Sequence, residues 1–489
     1  MERPGPADPA RAALGGRARG GRDRVAGRVR VAGFVRGTGL VRVLFLVPVL
    51  LVASVQAGCS GGEAPGAPAG ASTAAAQGAS AAGQDERTAA VRVLLDARAD
   101  DLLAGDVAGV LDGTDPRASA FRQRQGDLAR GLARLPLASW SYEVRGQGPD
   151  LGAARRAELG ADDAWVADVL LSYRLAGVDD VPQLRQQSLT VVRRDGRWLL
   201  AGDRDGPGRP EPWDLGLVDV VEGERTLVVG TARRDVLVEQ ASLGDAAAAR
   251  VDAVWGTGWP RRTVVVVPAD EDQLARLLGR AGTDGLDQVA ALTTGADRSS
   301  GEPGAEGAVD RVLVNPAALE RLGDLGRGVV LTHETTHVAV RAGAAADAPP
   351  WLSEGFAELV AYAGPTAAAG DDVVAPEVVA ADLLAAVREG RGPGTLPTAA
   401  DFDPTAGDVA PAYAGALLAA RTVEQRYGRP ALLALVRAGT GRAPAADEAG
   451  AGEAPLPLDE AVPQVLGVTL AELEQQWRAD LADLATRDA

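Results

Sequence analysis

The sequence predicts an α+β chain with two folded parts and a leader. Three observations carry this. Strand-like runs with a hairpin signal follow helical periodicity between residues 85 and 206. A second group of short strands begins near Leu215. From Gly328 onward the apolar pattern is mainly helical to the end. Strands first and helices afterwards within one segment is the α+β ordering. At 489 residues the chain is long enough for both parts to bury a core. Hydrophobic residues make up 46% and charged residues 24%, a globular composition. A formal charge of −17 excludes a general nucleic-acid binder, which needs a basic face. One cysteine, Cys59, excludes a disulfide framework and a cysteine-based zinc finger.

The first 58 residues read as an export leader. Residues 1–42 hold ten arginines against three acids, net +7. Val43–Val55 follows with no charge, too short for a span that needs about 20 apolar residues. A basic segment ahead of a short apolar run is the form of a secretory signal peptide. The run ends at Gln56-Ala57-Gly58-Cys59, which resembles the lipobox of bacterial lipoproteins. That resemblance implies lipidation of Cys59 and anchoring in the membrane at its extracytoplasmic face. Gln56 departs from the aliphatic residue usual in that motif. Residues 59–84 are rich in Gly, Ala, Ser and Pro and are expected to form a flexible tether. Loss of a +7 leader from a −17 chain leaves −24, so attachment would rest on lipid and not on a basic patch.

Helices are expected over Asp85–Asp112 and Ala118–Leu135. Strands are expected over Ser139–Val144, Trp165–Leu175, Ser188–Arg194 and Arg197–Leu200, the last two joined by the turn pair Asp195-Gly196. The run SLTVVRRDGRWLLAGDRD resembles the last hairpin of the cystatin-like, nuclear-transport-factor-like cone fold. The resemblance implies a small accessory α+β domain over residues 85–206. Pro207–Trp213 reads as a linker. In the second part, a hairpin is expected around Glu222-Gly223 and a helix over Ala232–Val254. Strands are expected at Thr263–Val267, Gln288–Leu292 and Arg311–Val314, the last available to an extended peptide. Residues 440–456 read as a loop.

Residues 333–337 read His-Glu-Thr-Thr-His, and both histidines of the chain lie in this pentapeptide. Random placement would put two histidines four apart in only about 0.4% of chains. On a helix, positions i and i+4 share a face, which suits two imidazoles on one Zn²⁺ with Glu334 beside them as proton carrier. Val329, Val330, Thr332, Thr335 and Thr336 are mediocre helix formers, so burial must hold this helix. A third ligand cannot be His, and Cys59 lies at the tether, so a carboxylate is required. Sixteen residues after His337, Pro349-Pro350 opens the helical stretch WLSEGFAEL. Glu354 is the candidate ligand. Glu358, one turn on, is the candidate acceptor for an imidazole N–H.

HETTH followed by WLSEGFAE resembles the gluzincin metallopeptidases, in which a Glu of the next helix is the third zinc ligand. The C-terminal residues from Tyr413 to Trp477 resemble the helical part of bacterial peptidase-MA-like proteins, and the likeness covers residues 215–489. It implies a zincin-type metallopeptidase domain with Zn²⁺ as cofactor, a peptide or protein as substrate and Tyr413 facing the oxyanion. Tyr427, before a glycine, reads as a helix-end packing residue. The Gly-x-Met-Glu-Asn strand of the aminopeptidases is absent, since Met1 is the only methionine. An endopeptidase, or an enzyme for a narrow envelope substrate, is therefore expected. The alternative is a non-catalytic envelope lipoprotein, a binding module with a structural or vestigial zinc. No Gly-rich phosphate loop follows a strand with the required spacing, so no nucleotide cofactor is expected.

Overall fold

Gly105 (φ +68°) ends the first helix among the described residues, and Asp106 starts the next by accepting from the backbone N–H groups of Ala108 and Gly109. The computed structural model describes residues 72–260, 262–286, 289–294, 309–364, 372–403, 407–442 and 454–487. These helices are α1 (Ser72–Ala104) and α2 (Val107–Asp112), where the sequence suggested one. The backbone of α1 takes in the last thirteen residues of the expected tether, 72–84. That stretch is alanine-rich, and alanine has the highest helix propensity. The leader, the apolar run Val43–Val55 and Cys59 lie outside the described residues. Among those described, no helix is long and apolar enough to cross a membrane.

After α3 (Ser119–Leu132) come β1 (Leu137–Gln147), α4 (Ala153–Leu159), β2 (Asp163–Leu175), β3 (Gln183–Arg194) and β4 (Arg197–Gly202). The four strands form an antiparallel meander in chain order. Asp195 and Gly196 both have positive φ (+48° and +81°), as a type I′ hairpin requires. One face of the meander packs under α1 and α3 through Val91, Leu95, Phe121, Val169 and Val191.

α5 (Pro212–Leu215) leads to β5 (Asp219–Glu222) and β6 (Thr226–Gly230), the expected hairpin. Then follow α6 (Arg234–Trp255), β7 (Thr263–Val267), α7 (Glu271–Leu277), β8 (Ala291–Thr294) and β9 (Arg311–Val314). The second sheet has the order β5-β6-β7-β9-β8. β6, β7 and β9 run parallel, and β8 runs antiparallel to β9. Two expectations change here. The strand placed at 288–292 runs over Ala291–Thr294. Arg311–Val314 is an interior strand with both edges taken by β7 and β8, so no peptide can pair with it; β8 ends the sheet on that side. A four-residue strand carries no information on which neighbours it meets, and here the crossover through α7 decides that.

The remainder is helical: α8 (Pro316–Glu320), α9 (Asp324–Arg341), α10 (Pro350–Tyr362), α11 (Pro376–Val379), α12 (Ala381–Arg388), α13 (Ala410–Tyr427), α14 (Arg429–Thr440), α15 (Leu458–Leu466) and α16 (Leu470–Arg487). α9 is buried continuously from Val329 to Val340, against α6, α10 and β8. Thr332 and Thr336 turn their hydroxyls onto the carbonyls of Gly328 and Thr332. Their polar atoms are thus satisfied inside the helix, and burial overrides poor propensity. The expected loop at 440–456 begins as α14 ends at Thr440; residues 443–453 lie outside the described ones.

The two sheets share one core. Trp140 and Tyr173 of the meander pack tilted and edge-on against Trp213 at 5.2–5.7 Å, and this cluster continues into Val218 and into Leu227 of the second sheet. A buried ion pair seals the junction. Arg311 of β9 donates to both carboxylate oxygens of Asp179 at 2.7 and 2.8 Å, and Gln183 donates to the Val309 carbonyl.

Candidate metal centre

His333 and His337 stand one turn apart on α9, and Glu354 reaches them from the second turn of α10. Their donor atoms form a near-equilateral triangle. His333 Nε2 to His337 Nε2 is 3.1 Å, His333 Nε2 to Glu354 Oε2 is 3.2 Å, and His337 Nε2 to Glu354 Oε2 is 3.4 Å. Tetrahedral zinc with bonds of 2.0–2.1 Å needs donors about 3.3 Å apart. The two-imidazole, one-carboxylate set therefore fits that ion in both spacing and chemistry. All three side chains are buried, and among the described residues this is the group able to hold a metal ion.

The electrostatics favour a cation. Burial pushes the His333 imidazole down, yet its polar contacts and charge interactions with Glu354 and Glu358 outweigh that and raise it to about 10. Burial pushes the Glu354 carboxyl up, but the charge of His337 and the bonds to both imidazoles hold it far below the usual carboxylate range. Two carboxylates, Glu354 and Glu358, face the His333 imidazole at 3.2 Å, which makes this a cluster of negative potential.

Glu358 lies behind the triangle, with Oε1 3.2 Å from His333 Nδ1. This is an ion-pair contact outside hydrogen-bond geometry; a carboxylate there favours the proton on Nδ1 and leaves the Nε2 lone pair facing Glu354 and His337. Burial raises the Glu358 carboxyl above its usual range. Ser353 Oγ stands 3.5 Å from His337 Nδ1, a long contact.

Glu334 is fully buried beside the first histidine. Its Oε2 accepts a 2.6 Å hydrogen bond from Thr293 of β8, and the same hydroxyl lies 3.1 Å from the Glu334 carbonyl. The second oxygen, Oε1, is buried with no hydrogen-bond partner among the described residues. Thr293 has no local signal in the sequence; only the packing of β8 on α9 brings it to Glu334.

Tyr413 is buried on α13, its ring 6.2 Å from that of His333 and edge-on to Phe402 at 5.1 Å. The approach of α13 depends on Gly355, where a Cβ would overlap the carbonyl of Ala416. The glycine after Glu354 is thus a packing requirement, which lets the helix bearing Tyr413 lie against the helix bearing Glu354. Tyr427 is remote, with its hydroxyl on Gln476 at 2.7 Å.

The chain matches no family model, no curated protein and no solved structure.

Proposed function

We propose that the chain is a zinc-dependent hydrolase of peptide bonds, and more narrowly a gluzincin-type endopeptidase. The observation that carries this is the 3.1–3.4 Å donor triangle of His333, His337 and Glu354, together with a buried carboxylate oxygen without a partner on the residue after His333, Glu334 Oε1. The triangle would hold the ion. Zinc there supplies Lewis-acid polarisation of the scissile carbonyl and acidifies water. Thr293 holds Glu334 Oε2 and leaves Oε1 to take a proton from the attacking water. Glu334 then delivers that proton to the amide nitrogen as the C–N bond breaks and a C–O bond replaces it. Glu358 fixes the orientation of His333. The Tyr413 phenol serves the developing oxyanion. The terminal strand β8, which carries Thr293, is where an extended substrate would lie.

The meander with α1 and α3 on one face supports a cone-like accessory domain. The basic leader, apolar run and Cys59 support a lipoprotein held at the outer face of the cell membrane. A second reading, a non-catalytic envelope lipoprotein with a structural zinc, is favoured by the nearly complete burial of the site. That reading gives Glu334 no task.

The test is metal content by mass spectrometry, then cleavage of a mixed peptide library by wild type and Glu334→Gln. The expected result is one zinc per chain in both, with cleavage by wild type reduced about 10²–10⁴-fold in the variant. Stoichiometric zinc with no cleavage by either would establish the second reading.

A further inference from the structure

A cavity of about 630 Å³, lined by none of the candidate metal-site residues, opens between the meander, α3 and the end of α7. Its wall is aromatic and aliphatic: Phe121, Leu128, Trp140, Tyr142, Leu189 and Trp213. Arg98 of α1 also borders it. This guanidinium is only 6% exposed. It donates from Nε to the Tyr142 hydroxyl at 3.2 Å and from Nη2 to Gln125, both neutral groups. Its Nη1 is buried with no hydrogen-bond partner, and no carboxylate forms an ion pair with Arg98 among the described residues. Asp214 and Asp101 act on Arg98 through charge alone, without ion-pair contact. A buried guanidinium not held in a direct ion pair is costly, and an anion brought against Nη1 offsets that cost.

The rim has the same sign. Arg204, Arg209, Arg276 and Arg280 are exposed there. Arg204 lies 3.8 Å from Asp203, whose carboxylate Arg124 already engages at 2.8 Å. Arg280 donates to the Asp284 carbonyl. The side chains of Arg209 and Arg276 make no hydrogen bond or ion pair among the described residues. Five arginines thus face two acids, Asp203 and Asp214, on a chain whose overall charge is −17. A local cationic ring on an acidic protein attracts anions, and the apolar wall behind it selects those that carry a flat hydrophobic group.

We infer that this cavity is a binding site for an amphiphilic anion, a carboxylate or phosphate ester with a flat apolar body. The apolar part lies against Trp140 and Trp213, and the charge faces Arg98 and the arginine rim. The inference does not depend on the peptidase reading.

Isothermal titration of the full chain with three probes tests it: 2-naphthoate, 2-naphthyl phosphate and the neutral 2-naphthylmethanol. The expected result is one site per chain, with at least one anion bound tenfold or more tightly than the alcohol. The better anion tells a carboxylate ligand from a phosphate one. Arg209→Glu with Arg276→Glu is expected to remove that preference, with an unchanged circular dichroism spectrum. Arg209→Gln with Arg276→Gln, a milder pair, is expected to reduce it. Equal binding of the alcohol and both anions, no measurable binding of either anion, or a preference that survives the charge reversal would overturn the inference.

Discussion

Two side chains adjoin the candidate metal triangle without belonging to it. Glu358 is placed to fix the ring of His333, and removal of such a partner weakens metal binding about 10–100-fold. Glu358→Gln is therefore expected to lower zinc affinity by that factor in a chelator competition, with folding retained because the side chain keeps its shape. Thr293 bonds to Glu334 at 2.6 Å. A hydrogen bond to a charged group contributes about 1.5–3 kcal/mol. Thr293→Val, which keeps the volume, is expected to reduce kcat about ten- to a hundredfold while zinc content stays at wild-type level. Zinc loss in that variant would mean that Thr293 supports the cluster and not the proton carrier. The donor set was legible in the sequence, because i, i+4 spacing on one helix is a local relation. Glu354 and Glu358 were legible through a second local pattern, the helix opened by Pro349-Pro350. Thr293 was not, since 41 residues separate it from Glu334 and nothing in a four-residue strand announces its neighbour.

Two elements carry conditions of their own. α10 and α13 touch at Gly355, where a methyl group meets the Ala416 carbonyl, a backbone atom that cannot rotate away. Gly355→Ala is expected to cost about 1–3 kcal/mol of stability, read as a lower midpoint in denaturant, because one helix must shift. α5 begins with a reciprocal cap in which Asp214 accepts from the Glu211 N–H at 2.9 Å. Burial, with the nearby Glu211 charge and against that backbone bond, pushes the Asp214 carboxyl up to about 7. A carboxyl raised on folding stabilises below its unfolded value and loses that contribution as pH rises through 7. Asp214→Asn keeps an acceptor and does not ionise. Its Tm is expected to match wild type near pH 4 and to exceed it at pH 8. An equal difference at both pH values would show that Asp214 does not titrate in this window. The strands and helices themselves were largely legible. The type I′ turn, the buried run TVVVV and the helix after the double proline all lie where their chemistry put them. α9 was the hard case, since its own residues favour helix weakly and its burial supplies what they lack.

At the scale of the whole molecule, the two sheets are joined by a shared aromatic core and one buried ion pair, Arg311–Asp179, with side chains 7% and 0% exposed. Removing one partner of such a pair typically costs about 3–5 kcal/mol, because the other charge stays buried. Asp179→Asn is expected to destabilise the protein by that order. Combining it with Arg311→Met is expected to recover much of the loss in urea titrations, which would mark the damage as an uncompensated charge and not as lost packing. The sequence alone determined the α+β class, the order of most elements and the three side chains that meet in the candidate metal triangle, because each follows from periodicity, turn chemistry or spacing within about twenty residues. Only the tertiary structure decided that β9 is interior and β8 terminal, that Thr293 meets Glu334, that Tyr413 lies by His333, and that an arginine-rimmed cavity forms beside Trp140 and Trp213. Those relations join segments tens to hundreds of residues apart. They depend on how whole faces pack, which no local pattern encodes.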